Sequence, residues 1–178
     1  MSLQLIVITT LVPVYIPLQF IDKSNNSLEI PITWQIPTII VLTLIFHKKV
    51  VFTAFSIYII FGLFISPVFH QGGSIGYLLT PNFGYLLGAF PLIKIIDNLN
   101  TRNKINVGNF LKKGIIAIGA MHLIGIFYNF IQVIFYSEFN IFLYNLGKYS
   151  VGKIGYHFLM LFPLLLLIKP IERLKLSK

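Results

Sequence analysis

The chain has 178 residues, 56% of them hydrophobic and 11% charged, with a mean hydropathy of +0.84 and a formal net charge of +9. A soluble domain carries about 25% charged residues, so this composition excludes an ordinary water-soluble globule and points to one integral membrane domain over residues 1–178. No cysteine is present, which excludes a disulfide framework, a zinc–thiolate site and a thiol nucleophile.

The N-terminus, MSLQLIVITTLVPVYIPLQF, lacks the basic n-region and small-residue cleavage site of a signal peptide. It reads as a retained first membrane helix, Leu3–Phe20. Apolar segments follow at Gln35–His47, Val50–Ser66, Phe83–Ile96, Ile115–Tyr136 and Gly155–Lys169. Together they predict an all-α membrane protein, a bundle of about six transmembrane helices. Between the third and fourth lies PVFHQGGSIGYLLTPNFGYLLGAF, Pro67–Phe90, rich in glycine and carrying two prolines. Glycine allows close backbone approach and positive φ. Non-helical backbone at membrane depth is tolerated where it is buried in protein or lines a cavity. The stretch reads either as a surface loop or as the wall of a ligand cavity, and Tyr77, Asn82 and Tyr85 offer stacking and hydrogen-bonding groups for the second reading.

Eleven basic residues cluster in connections on one side: Lys48 and Lys49, five around the link between the fourth and fifth segments, and four at the C-terminus. The other side has Lys23, Lys148 and Lys153. The positive-inside rule therefore predicts a multi-pass cell-membrane protein with both termini cytoplasmic, and with Ile21–Thr33, Pro67–Asn82 and Ser137–Gly152 facing out. Read this way the charge is a topology signal; no nucleic-acid partner is expected, and the immediate surroundings are membrane lipid.

The five acids, Asp22, Glu29, Asp97, Glu138 and Glu172, all fall in loops or at segment ends. Ion-coupled transporters bury an acid within the membrane, so coupling to an ion gradient is not expected. LGKYS at 146–150 lacks the spacing of a nucleotide-binding loop. No cofactor, metal or enzymatic activity is predicted. His122, Asn129 and Gln132 can share one helix face, as a cavity lining or as hydrogen-bonding glue between helices. Trp34, near a helix end, reads by default as interface belt.

At PITWQIPTIIVLTLIF and SPVFHQGGSIGYLLTPNFGYLLGAF the chain resembles the BioY family, the biotin-capturing substrate-specific (S) components of energy-coupling factor (ECF) transporters. The matching places are Pro31-Ile32-Thr33-Trp34-Gln35, Pro67-Val68-Phe69 with Gly72-Gly73, and Thr80-Pro81-Asn82-Phe83-Gly84-Tyr85-Leu86. The resemblance implies an S-component-like fold that holds biotin or a related small molecule near the outer face. It also implies an ECF transmembrane scaffold subunit and ATPase subunits that supply energy. On this reading Trp34 offers an apolar slot and Gln35 an amide. Gly72 and Gly73 bring backbone N–H groups close, while Asn82 and Tyr85 stack or hydrogen-bond. The glycine loop is about one residue shorter than the family pattern, and Thr80, Asn82 and Phe83 replace its Gly, Thr and Gly. The Asp and Lys of the family's Pro-Gly-Asp-x-x-Lys-like start to the last helix fall at Tyr156 and Leu159; Lys153 and His157, one turn or less away, can compensate, with Lys153 as the preferred substitute cation. The small-residue spacing that docks the scaffold subunit is missing from Leu3–Phe20. Two functions follow. One is biotin capture. The other is a BioY-like protein that has lost biotin and carries another small molecule or serves assembly.

Overall fold

The computed structural model describes residues 2–17, 27–69, 72–100, 105–136 and 139–176. Lys23, Arg102, Lys104 and Lys178 of the charge count, the acids Asp22 and Glu138, and His70 and Gln71 of the glycine loop lie outside these.

Helix α1 spans Ser2–Leu11. It does not continue to Phe20, because Pro13 disfavours helical backbone at Val12 and has no N–H for the next turn. The chain extends instead into strand β1 (Pro13–Pro17), which pairs antiparallel with β2 (Ser27–Thr33). Val14 faces Ile30 and Tyr15 faces Glu29, with an irregularity between Pro13 and Val14. The two prolines stand at the strand ends, where a missing donor disturbs the ladder least. This ribbon replaces the second half of the expected first helix.

Helix α2 (Gln35–Ile45) follows at once. Pro37 sits in its first turn, where N–H groups have no partner within the helix; the first bond is Thr38 N–H to the Trp34 carbonyl, 3.0 Å. His47 caps α3 (Lys48–Phe64), its Nδ1 accepting from the Lys49 N–H at 3.3 Å. A 3-10 turn at Ile75–Leu79 leads to α4 (Pro81–Asn100), which has proline in its first position. Asn106 Oδ1 accepts from Asn109 N–H at the start of α5 (Val107–Tyr136). The last expected helix is broken. The expected Gly155–Lys169 falls in α7 (Gly152–Leu159) and α8 (Leu161–Leu176), and the expected loop Ser137–Gly152 is itself helical where described, as α6 (Phe139–Asn145) and a π-helical turn (Leu146–Val151).

Val107–Phe135 is long and apolar enough to cross a membrane, and Phe139–Leu159 with Leu161–Arg173, bent by 41°, passes the same test as one broken span. Helices α1 and α2 are apolar but shorter. Leu123, Phe127, Ile134 and Phe135 on α5 are all more than 60% exposed. So continuous an apolar exterior suits lipid, not water. Thr10 and Thr43 return their hydroxyl protons to the Ile6 and Ile39 carbonyls at 2.7 Å, which satisfies them inside apolar helices. At the basic end Lys48 pairs with Asp97 at 3.4 Å, and Glu172 accepts from the Ile105 N–H at 2.6 Å.

The most extensive helix pair is α4 with α5. Gly84 and Gly88 lie four residues apart, the spacing that lets helix backbones approach. A Cβ at Gly84 would enter the Tyr128 side chain, and one at Gly88 would stand 2.5 Å from the Met121 carbonyl oxygen. Gly88→Val is therefore expected to lower thermal stability in detergent by about 1–3 kcal/mol, the usual cost of overpacking. Gly119→Ala meets nothing within 4 Å and is expected to be neutral or to stabilise by up to roughly 1 kcal/mol through helix propensity. Paired melting curves of the two variants check the packing; equal melting points would contradict it.

Candidate functional site

A cavity with an open mouth lies where α1, β2, α2, α3, α4, α5 and α7 converge. Its apolar surface is Ile36 and Ile39 from α2, Phe55 from α3, Leu86 and Ala89 from α4, and Met121 from α5. Its polar groups fall into clusters set by the helices that carry them.

The first cluster joins Thr10, Gln35 and Tyr58. Helix α3 turns Tyr58 inward, and its ring is fully buried beside Phe55 and Phe69. The Tyr58 hydroxyl lies next to Thr10 and Gln35. Neither that hydroxyl nor Gln35 Nε2 has a hydrogen bond of good geometry among the described residues. The Thr10 proton is already committed to Ile6, so Thr10 presents lone pairs. The second cluster is Tyr77 and Asn82, at the turn into α4.

The third cluster lies on the π-helical turn and α7. Lys153 and His157 are four residues apart and so share a face; both line the cavity. Lys153 Nζ sits 5.2 Å from the Tyr149 ring centroid, within cation–π range. Among the described residues no carboxylate pairs with Lys153. Behind it, the Tyr85 hydroxyl is 2.6 Å from Ser150 Oγ, which is 3.2 Å from His122 Nδ1; His122 Nε2 is 3.0 Å from His157 Nδ1.

Of the residues singled out in the sequence, the structure gathers Gln35, Tyr77, Asn82, Tyr85 and Lys153 around this cavity. Trp34, Gly72, Gly73 and Tyr156 stand outside its lining. Trp34 precedes α2, is 38% exposed, and ties its N–H to the Val12 carbonyl at 3.2 Å. Gly72 has φ +135° and exchanges both backbone hydrogen bonds with Phe69. Positive φ falls at Gly72 and Ser74; Gly73 is held by closeness, since a Cβ there would meet Pro67 Cα and the Gly62 carbonyl. This loop drives Phe69 into the core, 4.6 Å from the Tyr77 ring and 5.2 Å from that of Tyr58, so it backs two cavity residues indirectly. Tyr156 packs with Met160 against Val14 and Ile32 of the ribbon, and Leu159 is 60% exposed.

On α5, His122 is the interhelical bond to α7, whereas Tyr128 and Gln132 both donate to the Leu78 carbonyl. His122 and Gln132 thus go to different partners, Asn129 is buried with neither side-chain amide atom hydrogen-bonded among the described residues, and none of the three lines the cavity. Sequence reasoning did not find Thr10, Tyr58, Tyr149 and Ser150. For Thr10 and Tyr58 the available signal was a polar side chain inside an apolar run, which membrane helices rarely tolerate without a partner; Tyr149 and Ser150 lie in the polar stretch NLGKYSVGK and carried no such signal.

Comparison with known proteins places the chain in context. A family model described as the BioY family matches residues 1–161. A curated relative from Lysinibacillus sphaericus, named a probable biotin transporter BioY, is 30% identical over 108 residues. That match covers 58% of this chain and 54% of the relative, so the chain spans about half the length of the curated protein it matches. Among solved structures, the crystal structure of the S-component for biotin from an ECF-type ABC transporter superposes with a TM-score of 0.59 at 17% identity. It covers 98% of this chain and 86% of that one, so the two share a fold.

The hydroxyls on the two walls differ in their commitments, and stability measurements should separate them. Tyr85→Phe removes a made bond and should destabilise by about 0.5–1.5 kcal/mol. Tyr58→Phe removes a buried hydroxyl without a well-formed bond, and is expected to leave stability unchanged or raise it by up to ~1 kcal/mol. Thermal unfolding of the two variants in the same detergent reads the difference. A loss for Tyr58→Phe as large as that for Tyr85→Phe would mean that the Tyr58 hydroxyl is paired.

Proposed function

The chain belongs to the BioY family, and on that premise we propose that it is the substrate-capture component of a biotin uptake system, a single multi-pass membrane domain over residues 1–178. The observation that carries this reading is the cavity: an apolar chamber with one cation, Lys153, on one wall and the donors of Gln35 and Tyr58 on another. Biotin has a carboxylate, a ureido group and an apolar fused ring between them. Lys153 suits the carboxylate, Gln35 and Tyr58 suit the ureido oxygen, and Ile36, Ile39, Leu86 and Met121 suit the ring. Asn82 and Tyr85 complete the polar edge. Energy is supplied by an ECF transmembrane scaffold subunit and ATPase subunits, in keeping with a chain that carries no nucleotide-binding loop of its own.

The charge pattern supports a cytoplasmic position for both termini and an outward position for the cavity. Lys48, Lys94, Lys112 and Lys113 belong to the end of the bundle opposite the ribbon, whereas the cavity lies beneath β2 and the start of α4. Capture from outside needs this arrangement.

Titration of the purified protein with biotin tests the reading. Wild type is expected to bind. Lys153→Ala should weaken binding by about 1.5–3 kcal/mol, the range for a hydrogen bond to a charged group, or roughly 10- to 150-fold. Gln35→Ala should cost ~1–3 kcal/mol through an unsatisfied buried partner. No binding by wild type would overturn the proposal; binding untouched by Lys153→Ala would move the anion contact elsewhere.

Topology has its own check, since the chain has no cysteine. Ser74→Cys is expected to react with an impermeant thiol reagent from outside intact cells, and Lys112→Cys only after permeabilisation. The reverse pattern would invert the orientation.

A further inference from the structure

Four side chains run in series behind the wall that carries Lys153: Tyr85, Ser150, His122 and His157. Each link needs one donor and one acceptor. The 3.0 Å contact between His122 Nε2 and His157 Nδ1 requires one of these nitrogens to be bare. The neutral chain therefore has two orientations. In the first, Tyr85 donates to Ser150, Ser150 to His122 Nδ1, and His122 Nε2–H to His157 Nδ1, which puts the His157 proton on Nε2. In the second, His157 Nδ1–H donates to His122 Nε2 and His122 Nδ1–H to Ser150, and His157 Nε2 is a lone pair. His157 Nε2 makes no hydrogen bond among the described residues, and the ring lines the cavity one helical turn from Lys153.

We infer that His157, held by the His122–Ser150–Tyr85 chain, is a second contact for the ligand's carboxylate: its Nε2–H donates to one oxygen while Lys153 pairs with the other. The inference rests on the biotin reading above and deepens it. A carboxylate only accepts, so it selects the first orientation. One ammonium leaves most of the lone pairs on two carboxylate oxygens unmet, and in an apolar chamber unmet groups are costly. A donor four residues from Lys153 on the same face is placed to meet them. His122 and Ser150 act through His157 as positioning residues. Buried beside it, they hold its ring and decide which nitrogen carries the proton. Tyr85, at the far end, is left with its proton on Ser150 and its oxygen as an acceptor at the cavity wall.

The test compares two ligands on the full purified chain: biotin, and biotinol, in which an alcohol replaces the carboxylate. The readout is the ratio of their affinities, which a purely structural role for the chain would leave unchanged. His157→Phe is expected to reduce the preference for biotin by about tenfold, the scale of a charge-assisted bond over a neutral one. His157→Gln places an amide N–H near the Nε2 position and should retain the preference to within about threefold. Ser150→Ala should lower it by about two- to fivefold through loss of orientation. Melting curves identify any variant that fails to fold, in which case His157→Gln and Ser150→Ala decide between them. Equal weakening of both ligands in His157→Phe, or none, overturns this inference and leaves biotin capture standing. Wild type that binds neither ligand overturns the biotin reading and this inference with it.

Discussion

The cavity depends first on how closely α4 lies on α5. Gly84 and Gly88 bring the two backbones together, and Gly125 on the opposite helix receives the Tyr85 ring, which occupies the place a Cβ would take. With the ring seated there, the Tyr85 hydroxyl meets Ser150 on the π-helical turn, and His122 one turn before Gly125 meets His157 on α7. A bulkier residue at any of the three glycines would push α4 outward and separate the partners that hold α7 in register. Apolar burial between helices is a weak driving force in lipid, whose tails are as apolar as leucine. Close approach and hydrogen bonds between helices do what the hydrophobic effect does in water.

The second constraint is backbone satisfaction. A chain that leaves the helix at Val12 must find partners for every N–H and C=O it frees, because the bilayer core offers none. Pairing β1 with β2 answers this, and it brings Ile32, Thr33 and Gln35 over the cavity in one short run. The tight Phe69–Gly72 exchange does the same for the glycine loop and at the same time buries Phe69 behind Tyr58 and Tyr77. Irregular backbone thus appears where it packs on the cavity's own residues.

These constraints explain what the sequence could and could not disclose. Helices α2 to α5 were legible to within a few residues, except that α5 begins eight residues before its expected start, because apolar runs and N-terminal prolines mark them directly. The break after Leu11 was also written there, in Pro13, but the uninterrupted apolar run outweighed a single proline. Gln35, Asn82 and Tyr85 could be found because each opens a helix at a recognisable turn. Tyr156 could not be told from His157 by spacing alone. The match to the family's last-helix motif set Tyr156 in that place, whereas the helix that follows the π-helical turn at Leu146–Val151 puts Lys153 and His157 on the cavity wall and Tyr156 against the ribbon. Thr10 and Tyr58 come from helices far apart in sequence, and only the packing of α1 against α3 brings them to one wall.

The placement of charge separates the basic end of the bundle from the cavity. Of the five acids, the two whose side chains the structure describes are both engaged at the basic end of the bundle, Asp97 with Lys48 and Glu172 with the Ile105 N–H. Among the described residues the cavity holds a cation, hydroxyls, amides and imidazole, and no carboxylate. A proton or sodium ion moving with the ligand would need an anionic group that changes partner during transport. On the proposed biotin reading, a cavity with Lys153 on its wall stabilises an anion at rest, and the tighter it does so the larger the cost of letting go. Capture and release therefore call for different shapes of the same bundle. The joints available for such a change are the 41° bend after Leu159 and the ribbon over β2, since both contact α7 without belonging to the glycine-locked pair of α4 and α5.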